Sequence, residues 1–202
     1  MTEGLSEFHY DVLREVGNIG AGNAATALAQ LVGRPIHMEV PDVLWVPLDE
    51  VAARLGGPEK PVAGILLGVE GEAPATILFA LPLSQAYTLL DIMLGRSPGT
   101  TSALDELEQS ALQETGNILT GAYLNSLNAF TNLGFRPTVP ALAVDMAGAV
   151  LDYVLAEFGQ VADQVLLIET EFRAEGQEVT GYFFLVPEPP SLNAIFRALG
   201  VG

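Results

Sequence analysis

Apolar and small residues recur at three- and four-residue intervals through positions 8–32, which predicts a long amphipathic helix. The same period returns at about 105–131 and predicts a second one. After each helix the pattern changes in the same order. "PIHMEVPDV" and "FRPTVPALAV" read as strands, rich in β-branched residues and bounded by proline. A shorter helix follows, "LDEVAARLG" in the first half and "DMAGAVLDYVLAEFG" in the second, where it begins at Asp145. Two strands then form a hairpin, 61–70 with 74–81 and 162–172 with 178–187, and a helix closes each half, "SQAYTLLDIML" or "SLNAIFRAL". "GRSPGTTSA" at 95–103 has the composition of a linker and separates the halves.

The repetition extends to individual residues. "EVGNIGAG" aligns with "ETGNILTG", so Glu15 and Glu114, Gly17 and Gly116, Asn18 and Asn117, and Pro41 and Pro140 all stand 99 positions apart. "VEGE" at 69–72 matches "IETE" at 168–171 at the same offset, which becomes 105 by "LP" at 81–82 and "VP" at 186–187. A six-residue insertion in the second hairpin loop accounts for that jump, at little entropic cost. The expected fold is α+β, internally duplicated with pseudo-two-fold symmetry. It is a six-stranded, mostly antiparallel sheet carrying two long helices and several shorter ones. One domain spans 1–202, with pseudo-repeats at about 8–95 and 105–200.

Composition narrows the function. The 202 residues carry 8 Lys+Arg against 25 Asp+Glu, a formal charge of −17, and half are hydrophobic. Such a surface repels a phosphate backbone, so nucleic acid is not an expected partner, and anionic membranes are disfavoured for the same reason. With no cysteine, disulfides, thiol nucleophiles and thiolate metal sites are excluded. No apolar run approaches the roughly 20 residues that span a bilayer, and "MTEGLSEFHYDVLREV" lacks the layout of a signal peptide. The expectation is a cytoplasmic protein, and the internal duplication is compatible with a monomer.

The candidate chemistry lies on the long helices. Asp11, Glu15 and Asn18 stand at i, i+4 and i+7, within roughly 60° of arc. Ser110, Glu114 and Asn117 repeat that stripe, and each asparagine is followed 23 residues later by a proline, Pro41 or Pro140. One such stripe reads as a solvated helix face. Two copies with the same residue types weaken that reading, because asparagine is a modest helix former that a merely solvated face would not require. Gly17 and Gly116, beside the asparagines, are expected to clear space for a partner's backbone. Gly20, Gly22 and Gly121 are expected to let the long helices approach each other or the sheet.

These residues resemble the CheC–CheX–FliY family of chemotaxis phosphatases, whose motif is Asp or Ser, three residues, Glu, two residues, Asn, about twenty-two residues and Pro. Asp11, Glu15, Asn18 and Pro41 match it, and Ser110, Glu114, Asn117 and Pro140 match it again. The run "GNIGAGNAATAL" looks like the CheC branch. The resemblance implies hydrolysis of the aspartyl phosphate on the response regulator CheY. Asn18 and Asn117 would orient the attacking water, and Glu15 and Glu114 would pair with a lysine of the regulator. Asp11 and Ser110 would make peripheral contacts, and Pro41 and Pro140 would support the ridge. It implies no cofactor or metal of its own, Mg²⁺ being carried by the bound regulator. It further implies binding of the deamidase CheD through "DMAGAVLDYVLAEF", with Asp145, Ala147, Gly148 and Ala149 as the docking residues. A protein that only binds CheD or phosphorylated CheY is the alternative.

Other patterns carry less. "GAGNAA" at 20–25 fits a loose dinucleotide fingerprint but follows a helical segment rather than a strand. His9 and His37 lie far apart with no third ligand at metal spacing and read as surface or strand residues. Glu70, Glu72, Glu169 and Glu171 alternate along strands and read as a solvated face.

Overall fold

The computed structural model describes residues 6–47, 50–158, 164–174 and 176–200. The first half contains α1 (Glu7–Val32), β1 (His37–Glu39), β2 (Val43–Pro47), α2 (Val51–Arg54), β3 (Pro61–Gly71), β4 (Ala75–Pro82) and α3 (Leu83–Met93). The second contains α4 (Glu106–Thr131), β5 (Phe135–Pro137), β6 (Ala141–Met146), α5 (Ala147–Phe158), β7 (Gln164–Ala174), β8 (Gln177–Pro187) and α6 (Pro189–Ala198). The expected beginnings of the short first-half helix at Leu48 and of the second hairpin at 162 lie outside the described residues.

Local chemistry sets the ends of the long helices. Ser6 caps α1, and its N–H donates to His9 Nδ1 at 3.0 Å. Asp105 caps α4, accepting from the N–H groups of Leu107 and Glu108. Both helices stop at a left-handed residue, Gly33 (φ 71°) and Asn132 (φ 57°), again 99 positions apart.

The first expected strand of each half is divided in two. Glu39 pairs with Glu171 and Val43 with Ile168, so three edge residues (40–42) oppose two on β7. Pro137 pairs with Val69 and Ala141 with Leu66, so 138–140 likewise oppose two residues of β3. Each is a one-residue bulge holding the motif proline, which has no N–H for the ladder. Six expected strands therefore become eight in one sheet, ordered β1-β7-β8-β4-β3-β5, with β2 also on β7 and β6 also on β3. All of these pairings are antiparallel.

The pseudo-symmetry is visible in one row of paired residues, Val43–Ile168–Phe183–Phe79–Ile65–Leu142. The axis passes through the Phe79–Phe183 pair. The row also corrects the expected alignment. Val43 and Leu142 are 99 apart, but their partners Ile168 and Ile65 are 103 apart, so "VEGE" and "IETE" are not structural equivalents. Most of the added length precedes the second hairpin. Pro47 and Pro61 are separated by 13 residues, whereas their equivalents Met146 and Gln164 are separated by 17. A twelve-residue α5 stands where the first half has a four-residue α2.

Alternate residues of the central strands enter two cores. Ile65, Leu67, Ile77 and Phe79 face α1, α3, α4 and α6, while Val62, Leu78 and Ala80 face α2 and α5. Burial on both faces is why β4 reads as an almost unbroken apolar run. On the larger side α1 crosses α4 closely: a Cβ on Gly20 would stand 2.5 Å from the Tyr123 ring and 3.2 Å from its Cα. The Tyr123 hydroxyl lies 3.1 Å from Thr170 Oγ1, and burial pushes its pKa up to about 12.

The linker is held by a buried polar network. Asp91, at the end of α3 and 1% exposed, accepts from the N–H groups of Gly99, Thr100 and Thr101 and from Thr101 Oγ1. Burial, the largest single influence, pushes this carboxyl up, but the four hydrogen bonds together outweigh it and hold it below its ordinary value. Arg96 continues the network, reaching Thr101 Oγ1 at 3.0 Å and the buried Glu108 of α4 at 2.5 Å.

Candidate functional site

Leu13, Val16, Gly17, Gly20, Ala21 and Ala24 turn α1 onto the sheet, which leaves Asp11, Glu15 and Asn18 exposed on the opposite stripe. On α4 the buried positions Leu112, Thr115, Gly116 and Leu119 expose Ser110 and Glu114 and leave Asn117 half-buried. Each ridge begins one turn after an exposed hydrophobe, Phe8 (61%) or Leu107 (57%), another pair 99 positions apart.

The expected residues stand in particular surroundings. Asp11 pairs with Arg14, both exposed. Among the described residues, Glu15 and Glu114 make no hydrogen bond or ion pair and stand open to a partner. Asn18 is engaged: its Oδ1 accepts from the N–H of Val40, 22 residues away, at 3.0 Å. That contact joins the motif asparagine to the bulge containing the motif proline. On α4 the corresponding link differs. Gln113, which replaces Arg14, donates to the Pro140 carbonyl at 3.4 Å, and the Asn117 amide has no partner among the described residues.

Two expectations change. Gly17 and Gly116 are buried against the sheet and do not face a partner: a Cβ on Gly17 would meet Val40 at 3.6 Å, and one on Gly116 would meet Ile65 at 2.6 Å. The helical period places them one residue around from the ridge, on the inner side. Of the other three glycines, Gly20 makes the close approach to α4, whereas Gly22 and Gly121 have open space where a Cβ would be. Asp145, expected to begin a helix, belongs to β6, where it pairs with Val62, and α5 begins at Ala147. Ala147 is fully buried, and Gly148 packs on Pro58, to whose carbonyl its N–H donates, so these small residues serve an internal contact. Asp145 and Ala149 are exposed.

Pattern reading missed the Val40 amide, although a valine precedes the proline in both halves. It also missed Arg14, Gln113 and the exposed Phe8 and Leu107, which helical spacing places beside the ridge. His9 caps α1 and packs edge-on against Phe196, while His37 is exposed on β1. Among the described residues no group of three potential ligands could hold a metal, and no helix is long and apolar enough to cross a membrane.

Chemically, the ridge offers a carboxylate for a cation and an amide that can donate and accept hydrogen bonds. An amide is not a base, and a convex helix face cannot enclose a small substrate, so the reacting group has to arrive on a partner. Fold and site together define an internally duplicated α+β protein that presents two Glu/Asn helices outward from one sheet.

The sequence profile of the CheC-like family matches residues 8–44 and 107–144, each a long helix with the bulge that follows it. Over 201 residues the chain is 39% identical to the CheY-P phosphatase CheC of Bacillus subtilis (strain 168), covering 98% of this chain and 96% of that one. A shorter match to the flagellar motor switch phosphatase FliY of the same organism, 31% over 125 residues, spans 61% of this chain and 32% of that one. The crystal structure of Thermotoga maritima FliY has the same fold, with a TM-score of 0.79 over 99% of this chain and 98% of that chain at 23% identity. The chain belongs to the CheC-like family.

Proposed function

We propose that this protein is a phosphatase that hydrolyses the aspartyl phosphate of phosphorylated CheY. The observation that carries the reading is the pair of Glu/Asn ridges, each with an exposed carboxylate that no group among the described residues occupies. The name CheY-P phosphatase borne by a relative 39% identical over nearly the whole chain supports the substrate.

In the reaction, Glu15 or Glu114 pairs with a lysine beside the regulator's phosphorylated aspartate and sets the register of docking. Asn18 or Asn117 then enters the regulator's site and holds a water in line with the phosphorus, the role that glutamine plays in GTPases. The water oxygen bonds to phosphorus as the bond to the aspartyl oxygen breaks, releasing inorganic phosphate and restoring the carboxylate. The Mg²⁺ held by the regulator supplies neutralisation of the developing charge. An acyl phosphate is labile, so positioning without a strong base is sufficient.

The test follows decay of phosphorylated, Mg²⁺-loaded CheY after the phosphodonor is removed. The protein should accelerate it, and Asn18→Ala combined with Asn117→Ala should abolish the acceleration, with each single variant reporting the other half's share. No acceleration by the unaltered protein would remove the enzymatic reading.

A second reading concerns CheD and rests on the β6–α5 face. There Asp145, Ala149 and Tyr153 (58%) are each exposed. Docking of CheD on this face is compatible with catalysis on the ridges. Asp145→Lys with Tyr153→Ala should weaken CheD binding, measured by calorimetry, while leaving CheY turnover unchanged.

A further inference from the structure

The two sites occupy equivalent positions but are not built alike. In the first, Val40 is 3% exposed; both its methyls stand 3.6 Å from where a Gly17 Cβ would be, and its N–H reaches Asn18 Oδ1 at 3.0 Å. In the second, the equivalent Val139 is 88% exposed. The difference follows from how closely each helix approaches its strand. A Cβ on Gly17 would be 3.9 Å from Ile168, but one on Gly116 would be 2.6 Å from Ile65, the equivalent isoleucine. With α1 standing off, a valine fits beneath it. With α4 lying against Ile65, Val139 stays outside.

We infer that Pro41 is a positioning residue that delivers the Val40 amide to Asn18 and so holds the first site ready, while the second site is completed only when the partner binds. This rests on the proposed reading of Asn18 and adds to it what fixes that side chain. Within an edge strand the Val40 N–H would be spent on the ladder or on solvent. The bulge at 40–42, where proline offers no N–H, releases it toward the helix. Accepting that bond fixes the amide's rotamer and which of its ends is oxygen, leaving Nδ2 without a partner among the described residues. An asparagine already ordered loses less freedom when it enters the regulator's site. Asn117 carries no such restraint.

Amide hydrogen exchange by NMR on the full chain tests the contact without any partner. The Val40 amide should exchange at least about tenfold more slowly than that of Val139. Asn18→Ala should abolish this protection, and Asn18→Asp, which keeps an acceptor, should restore it. Comparable exchange at the two valines, or protection that survives Asn18→Ala, would overturn the inference. The kinetic arm uses single-site proteins. In an Asn117→Ala background, Pro41→Ala should lower kcat for CheY-P about tenfold with KM little changed. In an Asn18→Ala background, Pro140→Ala should change kcat by less than about twofold. Equal losses from both prolines would overturn the inequality of the sites. Absence of turnover even in unaltered protein would count against the phosphatase reading alone, since the exchange arm decides the contact independently.

Discussion

Asn18 and Asp91 show two uses of a polar side chain on a helix. Asn18 is exposed and accepts one backbone N–H, so deleting it should cost activity far more than stability. Asp91 is buried and accepts four hydrogen bonds, so its deletion should do the reverse. Asp91→Asn places an amide NH2, itself a donor, among donors and should cost about 2–4 kcal/mol at neutral pH, read from urea unfolding. The pH dependence follows from its lowered folded value. The unfolded chain binds the proton more readily, so Asp91 stabilises the fold fully above the ordinary carboxylate value of 3.8 and loses that contribution as pH falls through the lower folded value. The gap between wild type and Asp91→Asn should therefore narrow under acid, and a gap independent of pH down to the acid transition would contradict the assignment. None of this was legible in "YTLLDIML", where Asp91 interrupts an apolar helix and its acceptor role appears only once the linker folds back over it.

At the scale of elements, α1 and α4 are matched in length, caps and ridge, and differ in what lies beneath. Their glycines separate into those that permit contact and those that merely weaken the helix. Gly22 has open space around it, so Gly22→Ala should stabilise the protein by up to about 1 kcal/mol through helix propensity. Gly20→Ala gains the same propensity but drives a methyl to within 2.5 Å of the Tyr123 ring, and should be destabilising by about 1–3 kcal/mol. Thermal and urea unfolding of the two variants should thus move in opposite directions. "GNIGAGNAATAL" displays both glycines on one line, and only their angular position relative to α4 distinguishes them.

For the whole molecule, a charge of −17 on 202 residues acts against the compact state. Raising NaCl from about 0.02 to 0.2 M should raise Tm by screening this repulsion. A fall in Tm over that range would mean that exposed ion pairs, such as Arg173 with Glu39, outweigh the net field. The same charge favours approach of a basic patch, so the proposed docking of a regulator on the ridges should weaken with salt. One continuous sheet carries both halves, and the Phe79–Phe183 pair lies on its pseudo-two-fold axis. The two ridges are thereby fixed to one body.

The sequence by itself determined the two long helices, the hairpins, the duplication and the paired Glu/Asn stripes, because each depends on residue spacing within a single segment. Tertiary structure alone decided the bulges at Pro41 and Pro140, the inward side of Gly17 and Gly116, and the true register of the hairpins. It also decided that Val40 lies under α1 while Val139 stands in solvent. These features depend on how far a helix stands from a strand and how two strands count against each other. Such distances are set by the packing of segments remote in the chain, and the repeated motif, spaced alike in both halves, does not contain them.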